Sequence, residues 1–97
     1  MHARVTFATL KPTKIEEGIK VTRDSILPAA KQQKGFRNMF LLVNRNANNG
    51  MMIALWDTEA DMMAGESSEF CREQVAKMAP LVTELPTMEH YEVAVQG

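Results

Sequence analysis

The sequence predicts an α+β domain of element order β-α-β-β-α-(α)-β, and three observations carry that expectation. Both ends of the chain alternate apolar and polar residues with a period of two. Two apolar runs in the middle flank an Asn-rich connector, and the stretches between carry apolar residues at helical spacing. The order is that of a ferredoxin-like unit, whose helices pack on one face of an antiparallel sheet.

Residues 3 to 10 open the chain as a strand, with Ala3, Val5 and Phe7 alternating against Arg4 and Thr6, so that one face is well buried. Lys11-Pro12-Thr13 breaks it. Thr13 with Glu16 is a capping-box pattern, in which each side chain satisfies a free backbone N–H. Ile15, Ile19, Thr22 and Ile26, then Ala29 or Ala30, form one apolar helical stripe. Pro28 lacks an N–H and should kink or end that helix, and Gly35 is its expected stop. Strands two and three, roughly Phe36 to Asn44 and Gly50 to Trp56, flank a hairpin loop of about five residues whose asparagines tolerate left-handed backbone. Thr58 with Asp61 starts a short helix, and a second runs from about Ser67 to Met78 with Phe70, Val75 and Met78. Pro80 and Pro86 bracket the exit. Thr87 to Val95 then alternates, with Tyr91, Val93 and Val95 on one face and His90, Glu92 and Ala94 on the other.

Ninety-seven residues make one domain, 1–97, with no room for a second core. A net charge of −1 offers phosphate no broad attraction, so nucleic-acid binding is not expected. The apolar run Met51 to Trp56 is too short to span a bilayer, residues 1–12 lack the apolar core of a signal peptide, and Cys71 has no partner for an internal disulfide. The expected location is the cytoplasm, away from membranes.

The third strand, Met51-Met52-Ile53-Ala54-Leu55-Trp56, is apolar on both faces, which requires cover on both. Helices cover only one face of such a unit, so a homodimer is expected to bury the other. At about 25 cal/mol/Å², burying roughly 600 Å² of apolar surface per subunit contributes about 15 kcal/mol gross. Association entropy and desolvation offset much of that.

With the hairpin loop centred on Ala47, Phe40 pairs with Ala54 and Asn38 with Trp56. Opposed residues share a face, so Asn38, Phe40, Leu42, Met52, Ala54 and Trp56 line one surface. On the helix side this makes an apolar cleft with one amide, the usual form of a small-molecule site. Trp56, Asn38, Phe40 and Met52 are its expected substrate-binding residues. A pairing shifted by one residue puts Met39 in place of Asn38 opposite Trp56.

The window Lys34 to Asp61 resembles the centre of the antibiotic biosynthesis monooxygenase-like family: Gly35-Phe36 opens the second strand, Gly50 follows the hairpin, and Trp56 precedes the capped acidic turn Asp57-Thr58-Glu59-Ala60-Asp61. The resemblance implies a dimeric α+β barrel and a cofactor-independent monooxygenase acting on aromatic or quinone-like small molecules. Such enzymes hold and deprotonate a phenol-like substrate, and the anion reacts with O₂. Trp56 matches the pocket Trp of that branch; Met52 stands where an Asn often accompanies it, and Met62 and Met63 occupy the region of a Tyr sometimes found there. The haem-degrading branch uses an Asn, a Trp and a His at positions near Thr6 or Phe7, Gly65 and Gln74-Val75, so haem binding is not expected.

Of the remaining chemistry-bearing residues, His90 is the candidate catalytic base, since an imidazole titrates in the range suited to a phenol. Only Glu92 shares its strand face as a possible helper. His2 is near the terminus, no His, Cys or acidic pair has metal-ligand spacing, and Cys71 has no adjacent His, so neither metal nor cofactor is expected. The eight methionines suit a plastic pocket, but a Met-rich core explains the same count without function and is the preferred reading. Two functions follow: an oxygenase of aromatic molecules, or a dimeric accessory module that binds a small apolar ligand without transforming it.

Overall fold

The computed structural model describes residues 1–97. Four strands, β1 (His2–Thr9), β2 (Phe36–Asn44), β3 (Asn49–Trp56) and β4 (Thr87–Glu92), form one antiparallel sheet in the order β2-β3-β1-β4. Between them lie α1 (Ile15–Val21), α2 (Leu27–Ala30), α3 (Glu59–Glu66) and α4 (Glu69–Met78), with the short 3₁₀ turn Ala79–Leu81 after α4. This is the ferredoxin-like α+β arrangement that the pattern predicts. No helix is long and apolar enough to cross a membrane.

Local chemistry explains most element ends. Thr58 caps α3, its Oγ1 accepting from the Asp61 N–H at 3.0 Å, and Ser68 caps α4 by accepting from the Cys71 N–H. Gly35 ends the turn after α2 with a φ of +79°, and a Cβ there would overlap the Asp61 carboxylate, so only glycine fits. The capping box expected at Thr13 does not form. Thr13 adopts a left-handed φ of 66°, and Lys14 takes the cap position without a side-chain bond. The regular α-helix is interrupted just before Pro28: a π-helical turn over Thr22–Ile26 separates α1 from α2, and this wider turn accommodates the proline's missing N–H and ring. β4 stops at Glu92; Val93 continues only through a backbone bond to Met1, and Val95 is exposed.

The β2–β3 hairpin corrects the expected register. Its loop, Arg45–Asn48, is one residue shorter than expected. Asn44 Oδ1 accepts from the Ala47 N–H, and Asn48 takes the left-handed conformation (φ 57°), closing the turn on an Asn44–Asn49 pair. Phe40 therefore pairs with Ile53, Met39 with Ala54 and Leu41 with Met52. A bulge at Arg37 then sets Phe36 opposite Trp56. Because side chains alternate, this single-residue difference exchanges the faces of the whole strand.

One sheet face lies under the helices and carries Arg4, Thr6 and Ala8 of β1, Met39, Leu41 and Val43 of β2, Met52, Ala54 and Trp56 of β3, and Met88 of β4. The opposite face carries Val5, Phe7, Phe40, Leu42, Met51, Ile53, Leu55 and Tyr91, and nothing in the chain covers it: Phe40, Leu42 and Tyr91 are each half exposed. Ala54, Trp56 and Met62 form the buried core, with Phe36 and Met39 packed against it. Only 15 of 97 residues are buried, and a single copy leaves the apolar residues of the open sheet face uncovered.

Candidate small-molecule site

Between the helix-covered sheet face and the helices lies a cavity of about 360 Å³. Strand residues Thr6, Met39, Leu41, Met52 and Trp56 form its floor, and Ile19, Thr22 and Ile26 from the first helical segment and Phe70, Gln74, Val75 and Met78 from α4 form its roof. The lining is predominantly apolar, and its only formally charged side chains are Arg4 and Glu84, the latter exposed at the rim.

Trp56 is 1% exposed and held on several sides. Phe36 meets its ring edge-on at 5.5 Å between centroids, with the planes at 79°. The Arg4 guanidinium carbon stands 5.5 Å from the ring centroid, within cation–π range. Gly65 of α3 lies close enough for an added Cβ to sit 2.8 Å from Trp56 Cη2. The indole Nε1 has no acceptor in this buried position.

The roof carries a polar relay. Lys77 Nζ donates to Ser25 Oγ at 2.6 Å, and Ser25 Oγ donates to Gln74 Oε1 at 3.1 Å, which ties the buried Gln74 amide to the surface. Ser25 sits in the π-helical turn, and irregular turns of this kind often serve to place a side chain.

Of the expected site residues, Trp56 and Met52 line the cavity. Asn38 and Phe40 do not. The shorter hairpin loop turns both to the open sheet face, and Met39 and Leu41 take their places. His90 shares the helix-covered face, opposite Arg4, but lies outside the cavity. It borders a separate shallow depression with His2, Glu59 and Glu92, and its Nε2 is 2.6 Å from Glu66 Oε2. Cys71 is a free thiol in the cavity lining, and no group of three His, Cys, Asp or Glu could hold a metal ion. Alternation marks Arg4 only as the polar side of β1, and no motif marks Gln74 as a cavity residue.

The folds of known structures place this arrangement. No protein-family model matches the chain, and no curated protein matches it by sequence. Solved structures do. The cofactor-independent oxygenase SnoaB from Streptomyces nogalater superposes with a TM-score of 0.75 at 19% identity, over 99% of this chain and 94% of that one. A protein from Nitrosomonas europaea, provisionally described as an antibiotic biosynthesis monooxygenase, gives 0.80 at 16% identity, over 98% and 100%. A structure titled antibiotic biosynthesis monooxygenase gives 0.78 at 16% identity, over 99% and 100%. The chain has the antibiotic biosynthesis monooxygenase fold. At these identities the likeness establishes architecture, and the chemistry has to be argued from the cavity.

Proposed function

We propose that the protein is a homodimeric, cofactor-independent monooxygenase that takes an electron-rich aromatic or quinone-like molecule into the cavity beside Trp56. The observation that carries this reading is the cavity itself: apolar, of the size usual for small-molecule sites, and walled at one end by a tryptophan held in place by Phe36, Arg4 and Gly65. The fold shared with SnoaB supports it. The chemistry needs no added reductant. Conversion of an activated ring methylene to a carbonyl releases four electrons, which reduce O₂; one oxygen atom enters the carbonyl and the other leaves as water. The uncovered face with Phe7, Phe40, Leu42 and Tyr91 supports pairing of two copies through their sheets. The unpaired Cys71 thiol fits a reducing, cytoplasmic setting.

A specific observation favours a second reading. No His, Asp or Lys lines the cavity, its one carboxylate is at the rim, and His90 faces Glu66 outside it. A site without a positioned base suits an accessory module that binds the same class of ligand without oxidising it. Oxygen consumption in the presence of polyhydroxylated aromatics, with native mass spectrometry on the same samples, separates the two. A ligand-bearing dimer that consumes O₂ supports the oxygenase, a ligand-bearing dimer that does not supports the accessory module, and a persistent monomer defeats both.

A further inference from the structure

Arg4 is the one arginine of five without a carboxylate. Arg23 pairs with Asp24, Arg37 with Asp57, Arg45 with Glu16 and Arg72 with Glu69, all at the surface. Arg4 is on β1, opposite Ala54, and faces into the cavity. It is partly buried, and its Nη1 is shielded from solvent with no acceptor. An unpaired, partly desolvated charge is unfavourable, and stacking over Trp56 offsets only part of the loss. The neighbouring Trp56 Nε1 is a second buried donor with no acceptor. His2 Nδ1, opposite Trp56 across β1 and β3, is a third such atom, and none of the three is open to the cavity; what the cavity offers a ligand is the rest of the Arg4 guanidinium, a charge without a counter-ion.

We infer that Arg4 is the anion-binding residue of this cavity, and that its ligand is an apolar molecule bearing a single carboxylate. The inference rests on the cavity being the ligand site, as argued above. A carboxylate matches the guanidinium's planar fork and neutralises its single charge. A phosphate monoester would carry excess negative charge into an apolar chamber whose only other charged side chain is the acidic Glu84. With the carboxylate at the Arg4–Trp56 end, the apolar body extends over Leu41 and Met52 towards α4.

Calorimetric titration of the purified protein with 2-naphthoate, 2-naphthamide and 2-naphthol tests this, since the three share a ring system and differ in the anionic group. The expected result is a roughly 10- to 100-fold preference for 2-naphthoate, the range for hydrogen bonds to a charged group. Arg4→Met should abolish that preference, bringing the affinity ratio of 2-naphthoate to 2-naphthamide to about one, and Arg4→Lys should restore part of it. Equal binding of all three by the parent, a preference for 2-naphthol, or a carboxylate preference that survives Arg4→Met would overturn the inference and leave the cavity as a ligand site. Binding of none of the three would remove the cavity reading, and the inference with it.

Discussion

Gly65 lies against the edge of the Trp56 indole, so that a Cβ on it would stand 2.8 Å from Cη2 and 3.3 Å from both Cζ2 and Cζ3. α3 can approach the sheet this closely only because position 65 lacks a side chain. Gly65→Ala sets two effects against each other. Alanine favours a helix by about 1 kcal/mol over glycine, whereas overpacking a buried ring costs about 1–3 kcal/mol. Trp56 and Met62 are both 1% exposed and leave the ring little room, so the overpacking should prevail. The expected outcome is a net loss of about 1 kcal/mol, a fall in Tm of about 4–8 °C, and weaker ligand binding as the ring shifts into the cavity. A higher Tm with unchanged binding would mean that the indole yields freely and that Gly65 does not position it.

The open sheet face gives a prediction about assembly. Phe40 and Leu42 alternate on β2 and are each half exposed, beside Ile53 and Met51 of β3. Glutamate at position 40 or position 42 would place a charge in the centre of the proposed dimer interface, where an unpaired charge costs several kcal/mol. Phe40→Glu with Leu42→Glu should raise the dimer Kd by about 100-fold or more, equivalent to at least 2.7 kcal/mol. Light scattering after size exclusion at micromolar concentration reads the change directly. A double variant that stays dimeric like its parent places the interface elsewhere, and a monomeric parent removes it.

How much of this was legible in the sequence depended on whether the signal was local. The caps at Thr58, the left-handed Gly35 and the two-sided apolar β3 are written in neighbouring residues, and each was readable. The site was less so, because it depends on register. Both the expected and the observed hairpin satisfy the apolar pattern of β2, where Phe40 and Leu42 alternate with Met39, Leu41 and Val43, so either set could face the helices. The choice is made by Asn48 adopting φ 57° and by the bulge at Arg37, neither of which composition reveals. The π-helical turn had no local signature beyond the proline it accommodates. Arg4 reads as an ordinary solvent-facing residue until its strand proves to be central, with helices over its polar side.

His90 and Glu66 form a 2.6 Å contact between β4 and the last turn of α3, outside the cavity. A base has to reach the proton it removes, directly or through one water. His90 stands outside the cavity lining, so His90→Ala should leave ligand affinity unchanged and any turnover within about threefold. A fall of about 10² to 10⁴ in turnover with binding retained would restore His90 as the general base, since that is the usual contribution of such a group. Steady-state oxygen uptake across pH 5 to 9 in parent and variant decides it.

Tyr91 is the chain's single tyrosine and sits on the open face two residues from Glu89, so both side chains project the same way. The hydroxyl donates to the Glu89 carboxylate. That bond, and the negative charge behind it, disfavour the phenolate and raise the Tyr91 pKa above the ordinary value of 10.0. The folded protein therefore holds the phenolic proton more tightly than the unfolded chain does. Stability from this bond is complete below the ordinary tyrosine pKa and is lost as pH rises towards and through the raised folded value. In a single subunit the pair is solvent-exposed and its stability effect is small, so the ultraviolet phenolate titration, run on a variant whose open face no longer pairs, is the better measurement. Its midpoint should lie above that of the unfolded chain, and Glu89→Gln should lower it. The substitution removes the charge and keeps a similar shape, so an unchanged midpoint would show that the Tyr91–Glu89 bond does not persist in solution.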